Sequence, residues 1–212
     1  MKLILMTILC VLAPAPAAPQ TTRASRQAVL FDNRTFKGWE GDLKTFRIED
    51  GAIVGGTLKA KIPRNEFLCT AREYTDFVLR LQFKVLGEGA NAGVQIRSKR
   101  IPNNHEVIGY QADLGEGWWG SLYDESRRNK TLAKPDAAGL NKVLKLSDWN
   151  DYLIRAEGRR IRLYINGYQT IDYTEPDEGI NQTGNICLQI HGGPPSEARY
   201  KNIRIEELQS SR

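Results

Sequence analysis

From Phe77 to Val85 every second residue is apolar. Phe77, Leu79, Leu81, Phe83 and Val85 fall on one side, Arg80, Gln82 and Lys84 on the other. A repeat of two is the signature of a strand with one buried face, and no helix can bury that pattern. The rest of the chain repeats the theme in shorter runs broken by turn signals. Thr45–Glu49 meets Ala52–Val54 across Asp50-Gly51, a strong hairpin signal. Trp149–Ala156 and Arg160–Ile165 flank Glu157-Gly158, and Asn166-Gly167 leads into Tyr168–Ile171. The last expected strands are Gly184–Ile190 and Tyr200–Glu206. No amphipathic helix longer than about two turns is evident. Many short antiparallel strands without alternating helices predict an all-β jelly-roll sandwich of two antiparallel sheets. Gly117–Asp148, rich in charge, Gly and Asn, reads as a long loop region beside the site.

The chain has 212 residues, a formal charge of +5, 41% hydrophobic and 26% charged residues, which fits one globular domain. Its basic residues are scattered among acids, so they read as solvated surface and not as a nucleic-acid footprint. Lys2, the apolar run Leu3–Leu12 and the small residues of 13–18 read as a secretory signal too short to span a membrane. The expected organisation is a signal peptide over 1–17, a linker over 18–28 and one jelly-roll domain over 29–209, in a secreted or periplasmic protein. Export leaves Cys69 and Cys187, either as a disulfide or as two buried thiols.

Four segments place chemistry-bearing side chains between apolar ones: Val94-Gln95-Ile96-Arg97, Tyr110-Gln111-Ala112-Asp113, Ser121-Leu122-Tyr123-Asp124 and Leu188-Gln189-Ile190-His191. Strand phase puts Gln95 with Arg97, and Gln189 with His191, on faces opposite the apolar residues. Such a face suits a polar ligand on a rigid sheet.

Each candidate has a functional and a structural reading. His191, before Gly192-Gly193, is a general base, general acid or metal ligand, or a hydrogen-bonded structural histidine. Asp113 and Glu116 are paired carboxylates for glycosidic acid–base chemistry or for a divalent cation such as Ca²⁺, or a turn aspartate and an exposed glutamate. Arg97 holds sugar hydroxyls or a developing oxyanion, or a surface salt bridge. Trp118, Trp119 and Tyr123 offer faces for stacking on sugar rings, or anchor the core and loops. Gln95, Gln111 and Gln189 are candidate substrate contacts. Trp39 and Trp149 are expected in the core. No motif requires a cofactor; a divalent metal, Ca²⁺ or another, held by His191 and carboxylates is the alternative to part of the oxyanion-stabilising set.

An ordered set of motifs also resembles a known family. Leu30-Phe31-Asp32-Asn33 with Gly38-Trp39 resembles its opening, and Asp50-Gly51-Ala52-Ile53 its first hairpin. Ala90–Arg97, Gly109–Asp113, Trp149-Asn150, Ile165-Asn166-Gly167, Leu188–His191 and Lys201–Ile205 follow in order. The set resembles the 3-keto-disaccharide hydrolase family. The resemblance implies a concanavalin-like jelly roll and cleavage of glycosides oxidised at C3. Many members read Gly-Tyr-Glu-x-Gln where this chain has Gly109-Tyr110-Gln111-Ala112-Asp113, so Asp113 takes the place of the carboxylate absent at Gln111. The expected reaction has His191 or Asp113 as base, Arg97 with Gln95 or Gln189 steadying the enolate, and Glu116 or Tyr123 protonating the leaving group. A non-catalytic carbohydrate-binding module is the alternative.

Overall fold

The computed structural model describes residues 27–209, so the expected signal peptide lies outside the described residues. Fifteen strands and one short helix follow in order. They are β1 (Gln27–Val29), β2 (Trp39–Glu40), β3 (Phe46–Glu49), β4 (Ala52–Thr57), β5 (Glu66–Thr70), β6 (Phe77–Leu86), β7 (Asn91–Arg100) and β8 (Val107–Gly115). After them come β9 (Leu122–Glu125), β10 (Lys130–Ala133), α1 (Ala137–Leu140), β11 (Asn150–Glu157), β12 (Arg160–Ile165), β13 (Tyr168–Thr174), β14 (Asn185–Ile190) and β15 (Ser196–Glu207). One sheet runs β13-β12-β11-β6-β15-β4-β3, with β1 also pairing β15; the other runs β10-β9-β8-β7-β14-β5-β2. Every pairing is antiparallel. The all-β sandwich expected from the period-two pattern is the observed architecture.

The two sheets close on one apolar layer. Phe77, Leu79, Leu81, Phe83 and Val85 of β6 face Val94, Ile96, Ala112, Leu122, Leu188 and Ile190 of the opposite sheet, all within the same core cluster. Trp39 joins them, 6% exposed. Trp149 does not. Its ring lies under the ammonium groups of Lys84 and Lys201, 5.2 and 3.9 Å from the centroid, because Lys84 projects from the solvent side of β6. Gly117–Asp148 is more ordered than its composition suggests, holding β9, β10 and α1. Asp136 caps α1 by accepting the N–H groups of Ala138 and Gly139, as N-cap aspartates do.

Because Val94, Ile96, Ala112, Leu114 and Leu188 point inward, their neighbours on the same strands point outward. Ladder register aligns these neighbours in rows. Gln189 pairs with Gly93, which pairs with Asp113. Cys69 pairs with Cys187, Cys187 with Gln95, Gln95 with Gln111, and Gln111 with Tyr123. The first two of that row form a disulfide spanning 118 residues of sequence.

Beneath these rows, Tyr200 of β15 crosses the core. Its hydroxyl lies 3.1 Å from the Gly93 carbonyl and 2.7 Å from the Gln189 carbonyl.

Candidate active site

The outward rows end in a cavity of about 150 Å³ lined by Asn65, Asn91, Gln111, Asp113, Trp118, Tyr123, Glu125 and His191. Other hollows on the molecule are larger. This one differs by holding a buried carboxyl, Asp113, one of whose oxygens no protein group satisfies.

A one-way chain of hydrogen bonds sets its geometry. The Ser98 hydroxyl donates to Gln95 Oε1 at 2.9 Å. Gln95 Nε2 donates to Gln111 Oε1, and Gln111 Nε2 donates to Asp113 Oδ1, each at 2.5 Å. Every amide in the chain therefore has a fixed orientation. Gln111 can lie across the sheet only because Gly93 has no side chain: a Cβ there would sit 2.7 Å from both Cγ and Cδ of Gln111. Asp113 is 2% exposed, and its Oδ2 is buried without a partner. Burial pushes the Asp113 carboxyl up to about 8, with Glu125 adding to the rise and the Gln111 bond opposing it. Burial also raises Glu125 to about 7, reinforced by the charge of Glu106. Desolvation of this kind disfavours the ionised form.

His191 enters at the end of β14. Its backbone N–H donates to the Asn91 carbonyl at 3.1 Å, and its Nδ1 lies 2.6 Å from the Gly192 carbonyl. A carbonyl only accepts, so Nδ1 carries the proton and Nε2 of the neutral ring is a free lone pair. Asn65 braces this corner, accepting the Gly192 N–H at 3.0 Å and donating to Glu106 Oε1 at 3.1 Å. The Trp118 ring meets Tyr123 edge-on, centroids 6.1 Å apart. Asn91 Oδ1 is buried and unpartnered.

Of the residues singled out from sequence, His191, Asp113, Gln111, Tyr123 and Trp118 converge on the cavity. Gln95 and Gln189 share the face but are completely buried and do not line the cavity. Gln95 positions Gln111, and the Gln189 amide has no protein partner. Glu116 and Trp119 line a different hollow. The turn after β8 reverses chain direction there, and Trp119 stacks on Phe83 of the core, centroids 6.1 Å apart.

Arg97 is the clear correction. It adopts φ +50°, at a register shift between Ile96 and Lys99. This bulge breaks the period of two. The guanidinium is sealed at 0% side-chain exposure against Asp76 at 3.0 Å. It also donates to the Thr75 and Gly158 carbonyls and to Gln182 Oε1. Arg97 thus opens a polar seam that continues through Gln182 to the Tyr110 hydroxyl, then Glu175, Arg128 and Asp124. Asp124 sits on the inward phase of β9 and is fully buried. Past the bulge, Ser98 takes the outward place that Arg97 would have held.

Sequence reasoning missed Ser98, Asn65, Asn91, Glu106 and Glu125. Two carried a usable signal: Asn91 is in phase with Gln95, and Glu125 with Tyr123. Asn65 and Glu106 come from loops or loop edges that no periodicity marks. Among the described residues no group of three or more His, Cys, Asp or Glu is arranged to hold a metal ion.

A family model described as the 3-keto-alpha-glucoside-1,2-lyase-like domain matches residues 27–206. The chain belongs to this family. Among solved structures, a candidate glycosyl hydrolase from Parabacteroides distasonis superposes with a TM-score of 0.66 at 21% identity, covering 86% of this chain and 94% of that one. The carbohydrate-binding module CBM66 from Bacillus subtilis gives 0.63 at 14% identity, covering 80% and 96%. A Bacillus subtilis protein of galectin-like fold gives 0.65 at 9% identity, covering 88% and 96%. These likenesses show a shared sandwich fold. Among curated proteins no sequence matches this chain. No helix among the described residues is long and apolar enough to cross a membrane.

Proposed function

We propose that this lyase-like family member is an exported enzyme that cleaves 3-keto-glycosides by 1,2-elimination. The observation that carries the reading is Asp113, a carboxyl held near 8 with one oxygen anchored and the other free, in the same cavity as His191.

A ketone at C3 acidifies the C2 proton. His191 Nε2 takes that proton, and the C–H electron pair becomes the enolate. The Tyr123 hydroxyl donates to the C3 oxygen as charge develops there. Collapse of the enolate restores the ketone, forms the C1–C2 double bond and breaks the bond from C1 to the aglycone oxygen. Asp113, protonated at neutral pH, gives its Oδ2 proton to that oxygen. A carboxylic acid kept neutral by an apolar setting is a known device for donating to such oxygens. Water then adds in reverse: Asp113 takes a proton as oxygen joins C1, and His191 returns a proton to C2. Asn91 Oδ1 and the Glu125 carboxylate accept sugar hydroxyls.

The test is incubation with a panel of α- and β-3-keto-glucosides, divalent ions supplied, following aglycone release. Wild type should consume at least one substrate, and His191→Ala should lose about 10²–10⁴-fold in kcat. The competing reading is a sugar-binding module, favoured by Trp118, which is 37% exposed over the cavity. If the panel binds and is never cleaved, the enzyme reading fails and the module reading holds.

A further inference from the structure

The turn joining β8 to β9 has two sides. Trp118 points to the sugar-sized cavity, while Glu116 and Trp119 line a second hollow of about 490 Å³ together with Ala90, Leu144 and Leu146. The two hollows share a wall. Asn91 lines the first and the preceding residue, Ala90, lines the second. Asn91 is itself in ladder register with Gly115, at the base of the turn.

The chemistry of the second hollow differs from that of the first. Glu116, Asn141 and Ser147 supply its polar side chains, and the remaining lining is apolar or glycine. A second sugar ring, with a hydroxyl on nearly every carbon, would find side-chain partners there only in Glu116, Asn141 and Ser147. A flat aromatic ring needs fewer. The Trp119 indole is held by its stacking on Phe83, so its position is fixed before any ligand arrives. Leu146 lines the same hollow and is 70% exposed, so an aromatic ring seated beside Trp119 would also cover its side chain.

We propose that this hollow receives the aglycone and that the class it fits is aromatic, a phenolic glycoside oxidised at C3 of its sugar. The inference rests on the 3-keto-glycoside reading for the sugar half of the ligand. The small cavity takes one ring, and the rest of the substrate passes the Gly115–Trp119 turn. Glu116 accepts a hydrogen bond from a ring hydroxyl. A phenol also leaves more readily than an alcohol, which suits a site with one buried acid.

The experiment compares phenyl and methyl 3-keto-glucosides on the full chain, by calorimetric binding and by turnover. The variants are Leu146→Asp and Asn141→Trp, neither of which touches the small cavity. The phenyl glycoside should bind wild type roughly tenfold more tightly than the methyl one. Both variants should remove that advantage and leave the methyl glycoside unchanged. Equal binding of the two glycosides by wild type overturns the proposal, as does an advantage that survives both variants. Turnover of neither glycoside strikes the lyase reading instead, and the binding comparison still decides the aglycone.

Discussion

Gln111 donates to one oxygen of Asp113 at 2.5 Å and leaves the other buried and free. The anchored oxygen fixes the carboxyl plane, and the free one is the atom available for chemistry.

A carboxyl that holds its proton up to about 8 has a clear pH signature. Activity should fall as pH rises through about 8, since Asp113 then loses the proton it donates. Had Asp113 been the base, activity would rise over the same range. Stability follows the same proton. Between the ordinary value of 3.8 and about 8 the folded state binds more protons than the unfolded state. Stability therefore declines with rising pH across that window. Asp113→Asn keeps the bond from Gln111 and removes the charge. It should abolish turnover and stabilise the fold above pH 8 by on the order of 2 kcal/mol. Urea denaturation of both proteins at the two ends of the window checks this; parallel pH dependence would contradict it.

Gly93→Ala tests the amide chain from below. Its new Cβ lies on Gln111, so Gln111 must move and release Asp113 Oδ1. The expected result is a fall in kcat of roughly 10²-fold with a displaced alkaline limb in the pH–rate profile. Ser98→Ala, which frees only the far end of the chain, should have a smaller effect in the same direction. A stable Gly93→Ala protein with an unaltered pH profile would show that the amides do not position the acid.

Arg97→Met separates structure from chemistry. Removing the guanidinium leaves Asp76 without the ion-pair partner it has in the seam. Breaking such a buried pair costs about 3–5 kcal/mol. At a temperature where the variant is folded, kcat and KM should match wild type. Loss of turnover with stability intact would return Arg97 to the reaction.

The disulfide makes a third stability test. Closing a loop of 118 residues is worth about 4–5 kcal/mol by loop entropy. Both cysteines are nearly inaccessible, at 2% and 1% exposure, so the paired Cys69→Ala and Cys187→Ala replacement is a cleaner probe than reductant. A loss of roughly 2–5 kcal/mol in urea denaturation is expected. A loss below about 0.5 kcal/mol would mean that the ladder alone holds β5 to β14.

The strands and three of their hairpins were legible in the sequence, because alternation and turn dipeptides are local; the long-range pairings that order each sheet were not. Phe77–Val85, the Asp50-Gly51 hairpin and the Glu157-Gly158 hairpin all appear where the pattern predicts. The polar face was legible through phase, and phase placed Gln95, Gln111, Asp113 and Gln189 on it. It failed at Arg97, where a single residue at φ +50° exchanged the places of an arginine and a serine. Nothing in Ile96-Arg97-Ser98 marks a bulge. The pairing of the two cysteines required ladder register, which sequence separation does not encode. Glu116 and Trp119 were misplaced for a related reason: a turn has no fixed period, so adjacent residues such as Trp118 and Trp119 can serve different hollows.

Tyr200 links the site to the sheet that lacks it. Its hydroxyl rests against the carbonyls of Gly93 and Gln189, and Gly93 is the spot over which Gln111 lies. The height of the reactive acid is thus gauged from the opposite sheet, by one phenol acting as a strut. Changes along β15 will consequently be felt in turnover although no residue of that strand lines the cavity.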